Sequence, residues 1–114
     1  MTFDLATFIN QKWDWSQRTF GPGRRTQGIC EHIFKELDEI TLSPTELEEW
    51  VDVILLAIDG ACRSGHDGQE IVDAIITKQM KNVERKWPDW KDKSQDEAIE
   101  HLKIITPYDG GDVS

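Results

Sequence analysis

Apolar positions recur at spacings of three and four along most of this chain, which is the pattern of helices that bury one side. No segment alternates apolar and polar residues with the period of a half-buried strand. The sequence therefore predicts an all-α fold, a helical bundle of about five helices. We expect these helices over residues 4–16, 25–40, 44–63, 68–87 and 95–105.

The starts of three predicted helices are marked by capping boxes, in which a small polar residue precedes a glutamate by three positions. The boxes lie at 43–46, 67–70 and 94–97. Gly65, Pro88 and Pro107 mark helix ends, because glycine closes helices and proline cannot continue them. With no repeat or linker visible, we expect a single domain over residues 1–106 and a mobile tail over 107–114.

The amino-acid composition excludes some classes of binding partner. The chain has 114 residues, 22 acidic against 13 basic, and a formal net charge of -9. Such a charge repels a nucleic-acid polymer, whereas a small phosphorylated ligand can bind where divalent cations reverse the local sign. No apolar stretch approaches the roughly 20 residues of a membrane span, and no secretory signal is visible. Cys30 and Cys62 fall within helical patterns, so we expect buried, reduced thiols in a cytoplasmic protein.

Two acidic pairs have matched spacing on consecutive predicted helices. Glu36 and Glu39 lie three residues apart, as do Glu49 and Asp52. Residues three apart share a helix face, so two antiparallel helices could aim all four carboxylates into one place. Four clustered carboxylates need cations, and hard oxygen ligands suit Mg²⁺ or Mn²⁺.

The apolar surroundings of Asp52 decide how these pairs are interpreted. A pair of exposed glutamates on a helix is usually a solvated face, and this explanation fits Glu36 and Glu39 taken alone. The helix around Asp52 is apolar on nearly all sides, with Val53 and Leu56 on the acidic side, which predicts burial all round. Burying an unpaired carboxylate costs several kcal/mol, so the sequence predicts a positive partner for Asp52.

A basic stripe follows on the fourth predicted helix. Lys78, Lys81, Asn82 and Arg85 lie on one face, at spacings of three and four. Arginine grips phosphate with two hydrogen bonds and lysine acts as a point charge, so the stripe can hold a polyphosphate. A solvated face that pairs with the acidic surplus is the alternative.

Aromatic and histidine side chains give candidates for binding a base. Trp13, Trp15 and Phe20 lie near the end of the first helix, where they can stack on a base or simply pack in the core. His32 lies one turn before Glu36 and either orients a ligand or packs as an ordinary histidine.

These residues resemble the dATP/dGTP pyrophosphohydrolase branch of the MazG-like superfamily, which includes phage enzymes of the MazZ type. The matching segments are 19–28 (TFGPGRRTQG), 32–40 (HIFKELDEI), 48–54 (EEWVDVI) and 59–61 (DGA), followed by Lys78, Asn82, Arg85, Trp87 and Pro88. The nine residues between the acidic pairs form a shorter gap than in many MazG proteins. Base specificity therefore does not transfer from distant members.

The resemblance implies an all-α fold that assembles as a homodimer or homotetramer. It implies hydrolysis of a purine deoxynucleoside triphosphate to the monophosphate and pyrophosphate. By matching position, it assigns Glu36, Glu39, Glu49 and Asp52 to Mg²⁺ or Mn²⁺, and Lys78, Asn82 and Arg85 to the phosphates. If the protein is phage-encoded, its place of action is the host cytoplasm.

Two other hypotheses compete with this enzyme. One is a non-catalytic, acidic helical module, such as a phage regulator that binds a host protein. Neither Asp52 in its apolar run nor the basic stripe is needed for that role. The other is a degenerate relative that binds nucleotide without cleaving it, and retention of all four acids argues against it.

Overall fold

A computed structural model of the chain describes residues 2–103, and these contain helices and no strand. Four α-helices follow one another: α1 (Leu5–Phe20), α2 (Thr26–Leu42), α3 (Leu47–Arg63) and α4 (Gly68–Glu84). A short 3₁₀ turn covers Trp90–Asp92. The predicted all-α fold is thus confirmed. The predicted tail, 107–114, lies outside the described residues.

The chain divides into two compact units, the first ending at Ile76 and the second beginning at Thr77. In the first unit, α3 packs against both α2 and α1. Its core is small and centres on Ile9, Cys62 and Ile71, which are buried together. The single domain expected from the sequence stays a prediction.

The start of α4 approaches α1 closely at Gly68. The backbone N–H of Gly68 donates to Asn10 Oδ1 at 2.8 Å. A Cβ atom at Gly68 would overlap the carbonyl oxygen of Ala6, and it would lie 3.0 Å from Asn10 Oδ1. The predicted capping box is formed here, since Glu70 N–H donates to Asp67 Oδ1 at 2.9 Å and Asp67 N–H to Glu70 Oε1 at 3.3 Å.

Gly68→Ala is therefore expected to destabilise the fold by about 1–3 kcal/mol, because α1 backbone must move to admit the methyl group. Gly60, inside α3, is the matched control, since its Cβ would meet only Ile29 Cγ2 at an ordinary 3.8 Å. Gly60→Ala is expected to raise the free energy of unfolding by up to about 1 kcal/mol, which is the difference in helix propensity between alanine and glycine. Thermal unfolding of both variants checks the pair; equal melting temperatures would contradict the close approach at Gly68.

The loop between α2 and α3 differs from its prediction. The box at 43–46 forms a turn, in which Glu46 N–H donates to the Ser43 carbonyl at 3.1 Å, and α3 begins only at Leu47. Trp50 Nε1–H donates to the Pro44 carbonyl at 3.0 Å, which holds that carbonyl outside the helix. Proline therefore occupies the turn and not the first helical position.

The predicted fifth helix is wrong over 95–103, and its last two positions lie outside the described residues. Only half of its capping box forms: Ser94 N–H donates to Glu97 Oε1 at 2.9 Å, but Glu97 N–H donates to the Ser94 carbonyl, and the chain stays non-helical beyond it. A short helix is marginal in water unless an apolar face packs. The segment instead forms turns and irregular chain, and Leu102 N–H donates to the Lys86 carbonyl at 2.7 Å.

The expectation that α3 is buried on all sides is also wrong. Only Asp59, Cys62 and Arg63 are buried in α3, while Trp50 and Ile54 are about half exposed. Within the first unit, α1, α2 and the start of α4 pack against α3, and several large apolar side chains of α3 remain exposed.

The two cysteines are free thiols in different settings. Cys62 is buried as expected, whereas Cys30 is exposed, against expectation. Burial raises the pKa of the Cys62 thiol, and the nearby charge of Asp59 raises it further. Among residues 2–103, none of the helices combines the length and apolar character needed to cross a membrane.

Candidate active site

Three carboxylates from two neighbouring helices converge in the first unit. Glu36 on α2 and Glu49 and Asp52 on α3 each place an oxygen atom so that the three atoms lie within 4.8 Å of one another. All three residues are partly buried. Because α2 packs along α3 across a four-residue loop, the matched spacing predicted from the sequence brings members of both acidic pairs together.

Glu39 is exposed and does not belong to this group of three. It is still near enough to act on the group electrostatically. Burial raises the pKa of Glu49, and the negative charges of Glu39, Asp52, Glu36 and Glu48, in that order, raise it further. Glu49 thus holds its proton more tightly than an isolated glutamate, as expected for a carboxylate that is partly buried and has like charges around it.

His32 contacts the cluster directly. Its Nε2 lies 3.3 Å from Glu36 Oε1, one helical turn further along α2. The imidazole is mostly exposed, with 59% of its side-chain surface accessible, whereas the Glu36 carboxylate side chain is 17% accessible. The histidine therefore sits at the entrance to the acidic group, where it can orient Glu36.

A cavity of about 240 Å³ extends from the cluster along α3. Its acidic lining comes from Glu36, Asp52 and Asp59. Its apolar and aromatic lining comes from Leu55, Leu56, Trp15 and Phe20, and its other polar lining from Lys12, Ser16 and His32. An acidic group at one end and aromatic side chains along the wall suit a ligand with a charged end and a flat end.

The aromatic candidates separate into two sets. Trp15 and Phe20 line the cavity and meet edge to face, with ring centroids 5.5 Å apart, and each is about half exposed. Trp13 does not line it; the indole packs against the hydrophobic core and lies under the Arg63 guanidinium, 5.2 Å from ring centroid to Cζ. Trp13 therefore serves packing.

A buried arginine holds the far end of the cavity together. Arg63 Nε–H donates to Asp59 Oδ2 at 2.9 Å, and its side chain is fully buried. The same guanidinium donates to the carbonyls of Gly21 and Gly23, at 2.8 and 2.9 Å, and to Ser16 Oγ at 2.9 Å. Gly21 and Gly23 have φ of 90° and 97°, values that glycine adopts without a Cβ clash. Arg63 thus fastens the turn after α1 onto α3.

The basic stripe lies in the second unit. Arg85 Nη1–H donates to Asn82 Oδ1 at 3.2 Å and lies 3.5 Å from His101 Nδ1. Lys78 and Arg85 line a cavity of about 470 Å³, which Trp87, Ile99, Glu100, His101 and Lys103 complete. The Nη2 atom of Arg85 is buried and has no hydrogen-bond partner within the described part of the chain. The stripe therefore borders a cavity in which Arg85 can accept an anion.

Sequence reasoning missed several residues of these cavities. Lys12 was a detectable candidate, because it lies three and four positions before Trp15 and Ser16 on one face of α1. Asp59 could have been found from its spacing, because it lies seven positions, two helical turns, after Asp52 on the same face of α3. His101 and Lys103 line the second cavity because the segment around Leu102 packs back against the chain at Lys86. This is a tertiary contact that local spacing does not encode.

Comparison with known protein families identifies a matching family. A family model described as dATP/dGTP pyrophosphohydrolase matches residues 8–103, which is most of the chain and contains every site residue described above. Neither the curated proteins nor the solved structures yielded a match.

Proposed function

Because this chain belongs to the dATP/dGTP pyrophosphohydrolase family, we propose that it cleaves purine deoxynucleoside triphosphates with the help of a divalent cation. Membership makes it a hydrolase acting on phosphorus anhydrides. In the proposed reaction, water attacks the α-phosphorus, the bond to the α–β bridging oxygen breaks, and the products are a deoxynucleoside monophosphate and pyrophosphate. A non-catalytic interaction module finds no support in a hydrolase family.

The observation that carries the proposal is the convergence of Glu36, Glu49 and Asp52. Three carboxylate oxygens within 4.8 Å form the hard donor set that Mg²⁺ or Mn²⁺ prefers. The pKa of Glu49, raised first by burial and then by the neighbouring negative charges, also fits, since a cation would relieve the repulsion between those charges. Glu39 belongs to the proposed ligand set through its family position and its electrostatic effect on Glu49.

When bound, the cation offsets the charge of the phosphate oxygens and acidifies the attacking water. The protein residues supply placement and proton handling. Glu36 is the candidate proton acceptor, because His32 Nε2, at 3.3 Å, can stabilise the proton that Glu36 Oε1 receives. Glu39 is the alternative acceptor. Glu49 and Asp52 would hold the cation from α3, and α3 is itself fixed in place because it packs against both α1 and α2.

The remaining candidates have binding roles in the proposal. Lys78, Asn82 and Arg85 bind phosphate oxygens, supported by the buried Nη2 of Arg85 beside its cavity. Trp15 and Phe20 stack on the base, supported by their place in the wall of the first cavity. We place the enzyme in the cytoplasm, because its two cysteines are free thiols and its proposed substrates are deoxynucleoside triphosphates.

We also propose that the protein works as a homodimer or homotetramer. Large apolar side chains on α2 and α3 stand in water in the single chain, with Phe34 71%, Leu37 47%, Trp50 49% and Ile54 54% exposed. Monomeric proteins rarely leave apolar patches of this kind uncovered. A second copy, presenting the same patch about a two-fold axis, would cover it.

The direct test is cation dependence. Pyrophosphate release from dGTP and dATP is expected to vanish in EDTA and to return on addition of excess Mg²⁺ or Mn²⁺. Mn²⁺ at about 100 times its dissociation constant is also expected to stabilise the fold by ~2.7 kcal/mol, measured as a rise in melting temperature. Activity that survives chelation would contradict the proposed mechanism.

Acid is expected to weaken the stabilisation of the fold by Mn²⁺, because the carboxylates that bind the cation must be deprotonated. The raised pKa of Glu49 makes the loss begin at a higher pH than an ordinary glutamate would give. In the cation-free protein, acid has the opposite effect on the free energy of unfolding through Glu49. Its folded state binds the proton more tightly than the unfolded chain, so stability rises as pH falls through that pKa. Melting curves with Mn²⁺ and with EDTA should therefore converge in acid, and Glu49→Gln should show little response to Mn²⁺.

A further inference from the structure

Asp59 has one carboxylate oxygen without a hydrogen-bond partner in the described part of the chain. The residue is 7% exposed, and its Oδ1 is buried with no hydrogen-bond donor among residues 2–103. Leaving a charged acceptor buried and unsatisfied costs about 1–3 kcal/mol or more. A protein that keeps such an acceptor has either a donor from a ligand or an ordered water at that place.

The other oxygen of Asp59 is firmly held. Arg63 Nε–H donates to Oδ2 at 2.9 Å, while the rest of the guanidinium is fixed by the carbonyls of Gly21 and Gly23 and by Ser16. An ion pair anchored at so many points cannot turn its second oxygen toward a partner elsewhere. Asp59 is therefore a rigid acceptor, placed in advance of any ligand.

The position of Asp59 in the cavity suits the base of the substrate. Asp59 lies seven residues after Asp52 on α3, which is about 10 Å along the helix axis. The two acids line the same cavity, and Trp15 and Phe20 form part of its wall between α1 and α3. With the phosphates at Glu36, Glu49 and Asp52, the flat end of a nucleotide extends toward Asp59.

We propose that Asp59 reads the base and selects guanine over adenine, a role that rests on the proposed function. A carboxylate accepts hydrogen bonds and donates none. The Watson–Crick edge of guanine offers two adjacent donors, N1–H and the N2 amino group. At the same edge adenine has an acceptor at N1 and no amino group at C2. Lys12 lines the same cavity and is a hydrogen-bond donor of the kind that guanine O6 accepts from.

Binding of monophosphates to the wild-type protein tests this without any requirement for hydrolysis. Isothermal titration in Mg²⁺ is expected to show dGMP binding at least ~10-fold more tightly than dAMP, the cost of an unsatisfied charged acceptor. N1-methyl-dGMP, which lacks the N1–H donor, should lose a similar factor, whereas 7-deaza-dGMP should bind like dGMP. Equal binding of dGMP and N1-methyl-dGMP, or tighter binding of dAMP, overturns the proposal.

The variant Asp59→Asn sharpens the test, with Asp14→Asn on the exposed side of α1 as its control. Asparagine can still accept from Arg63, but it presents an amide N–H₂ where the free oxygen was. We expect the ratio of dGMP to dAMP affinity to fall ~10-fold or more in Asp59→Asn and to stay unchanged in Asp14→Asn. A merely structural role would lower both affinities together and leave the ratio intact.

If Asp59→Asn does not fold, the binding of dGMP, dAMP and the two modified monophosphates to the wild-type protein decides. If pyrophosphate is not released but guanine selectivity holds, only the proposed reaction fails.

Discussion

Asp52→Asn is expected to lower pyrophosphate release from dGTP and dATP by at least ~10³-fold while the helices remain folded. Asp52 is one of three carboxylates whose oxygens lie within 4.8 Å of one another, and asparagine removes one of the charges that hold the cation there. A cation at the phosphates contributes several kcal/mol to the transition state. A loss of about 4 kcal/mol corresponds to ~10³ in rate.

Asp38→Asn is the matched control for this experiment. Asp38 lies on α2 between Glu36 and Glu39 in sequence, carries the same charge, and is exposed outside the three-carboxylate group. Its replacement is expected to change the rate less than about twofold, as for ordinary surface substitutions. Circular dichroism establishes that both variants are folded. Full activity in Asp52→Asn would contradict the assigned cation site.

Local sequence signals predict the helices well where tertiary packing agrees with them. The box at Asp67 and Glu70 starts α4 as expected, because Ile71 packs into the core immediately after it. The similar box at Ser94 and Glu97 forms only half of its hydrogen bonds and starts no helix. The difference lies in the apolar face that follows, since capping alone does not stabilise a short helix. Capping chemistry thus marks a start only where burial continues it.

The site shows the same division between local and distant information. Spacing along α2 and α3 places Glu36, Glu49 and Asp52 on facing sides, because it depends only on helix geometry and a short loop. Trp13 and Trp15 differ by two positions, which is about 200° around a helix, so only one of them can face the cavity. Which one faces it depends on where Arg63 packs, and Arg63 is held by hydrogen bonds to Gly21 and Gly23, which lie 42 and 40 positions away along the chain. No local pattern carries that information.

Arg63→Ala is expected to reduce the free energy of unfolding by about 3–5 kcal/mol, the cost of breaking a buried ion pair by removing one partner. The variant leaves Asp59 as an uncompensated buried charge and leaves the carbonyls of Gly21 and Gly23 without their donor. Since small domains have only about 5–15 kcal/mol in total, most of the stability would be lost. Urea unfolding, followed by circular dichroism, measures the change.

Two further variants separate charge pairing from simple packing. Arg18→Ala, an exposed arginine on the last turn of α1, is the control and should cost less than about 0.5 kcal/mol. The double variant Arg63→Met with Asp59→Leu removes both charges together. It should recover a large part of the loss, because apolar residues of similar size often replace a buried ion pair at little cost. Recovery would show that the uncompensated charge of Asp59 dominates the single variant. No recovery would show that the hydrogen bonds from Arg63 to the turn after α1 dominate instead, and that Arg63 stabilises the protein mainly by closing this turn against α3.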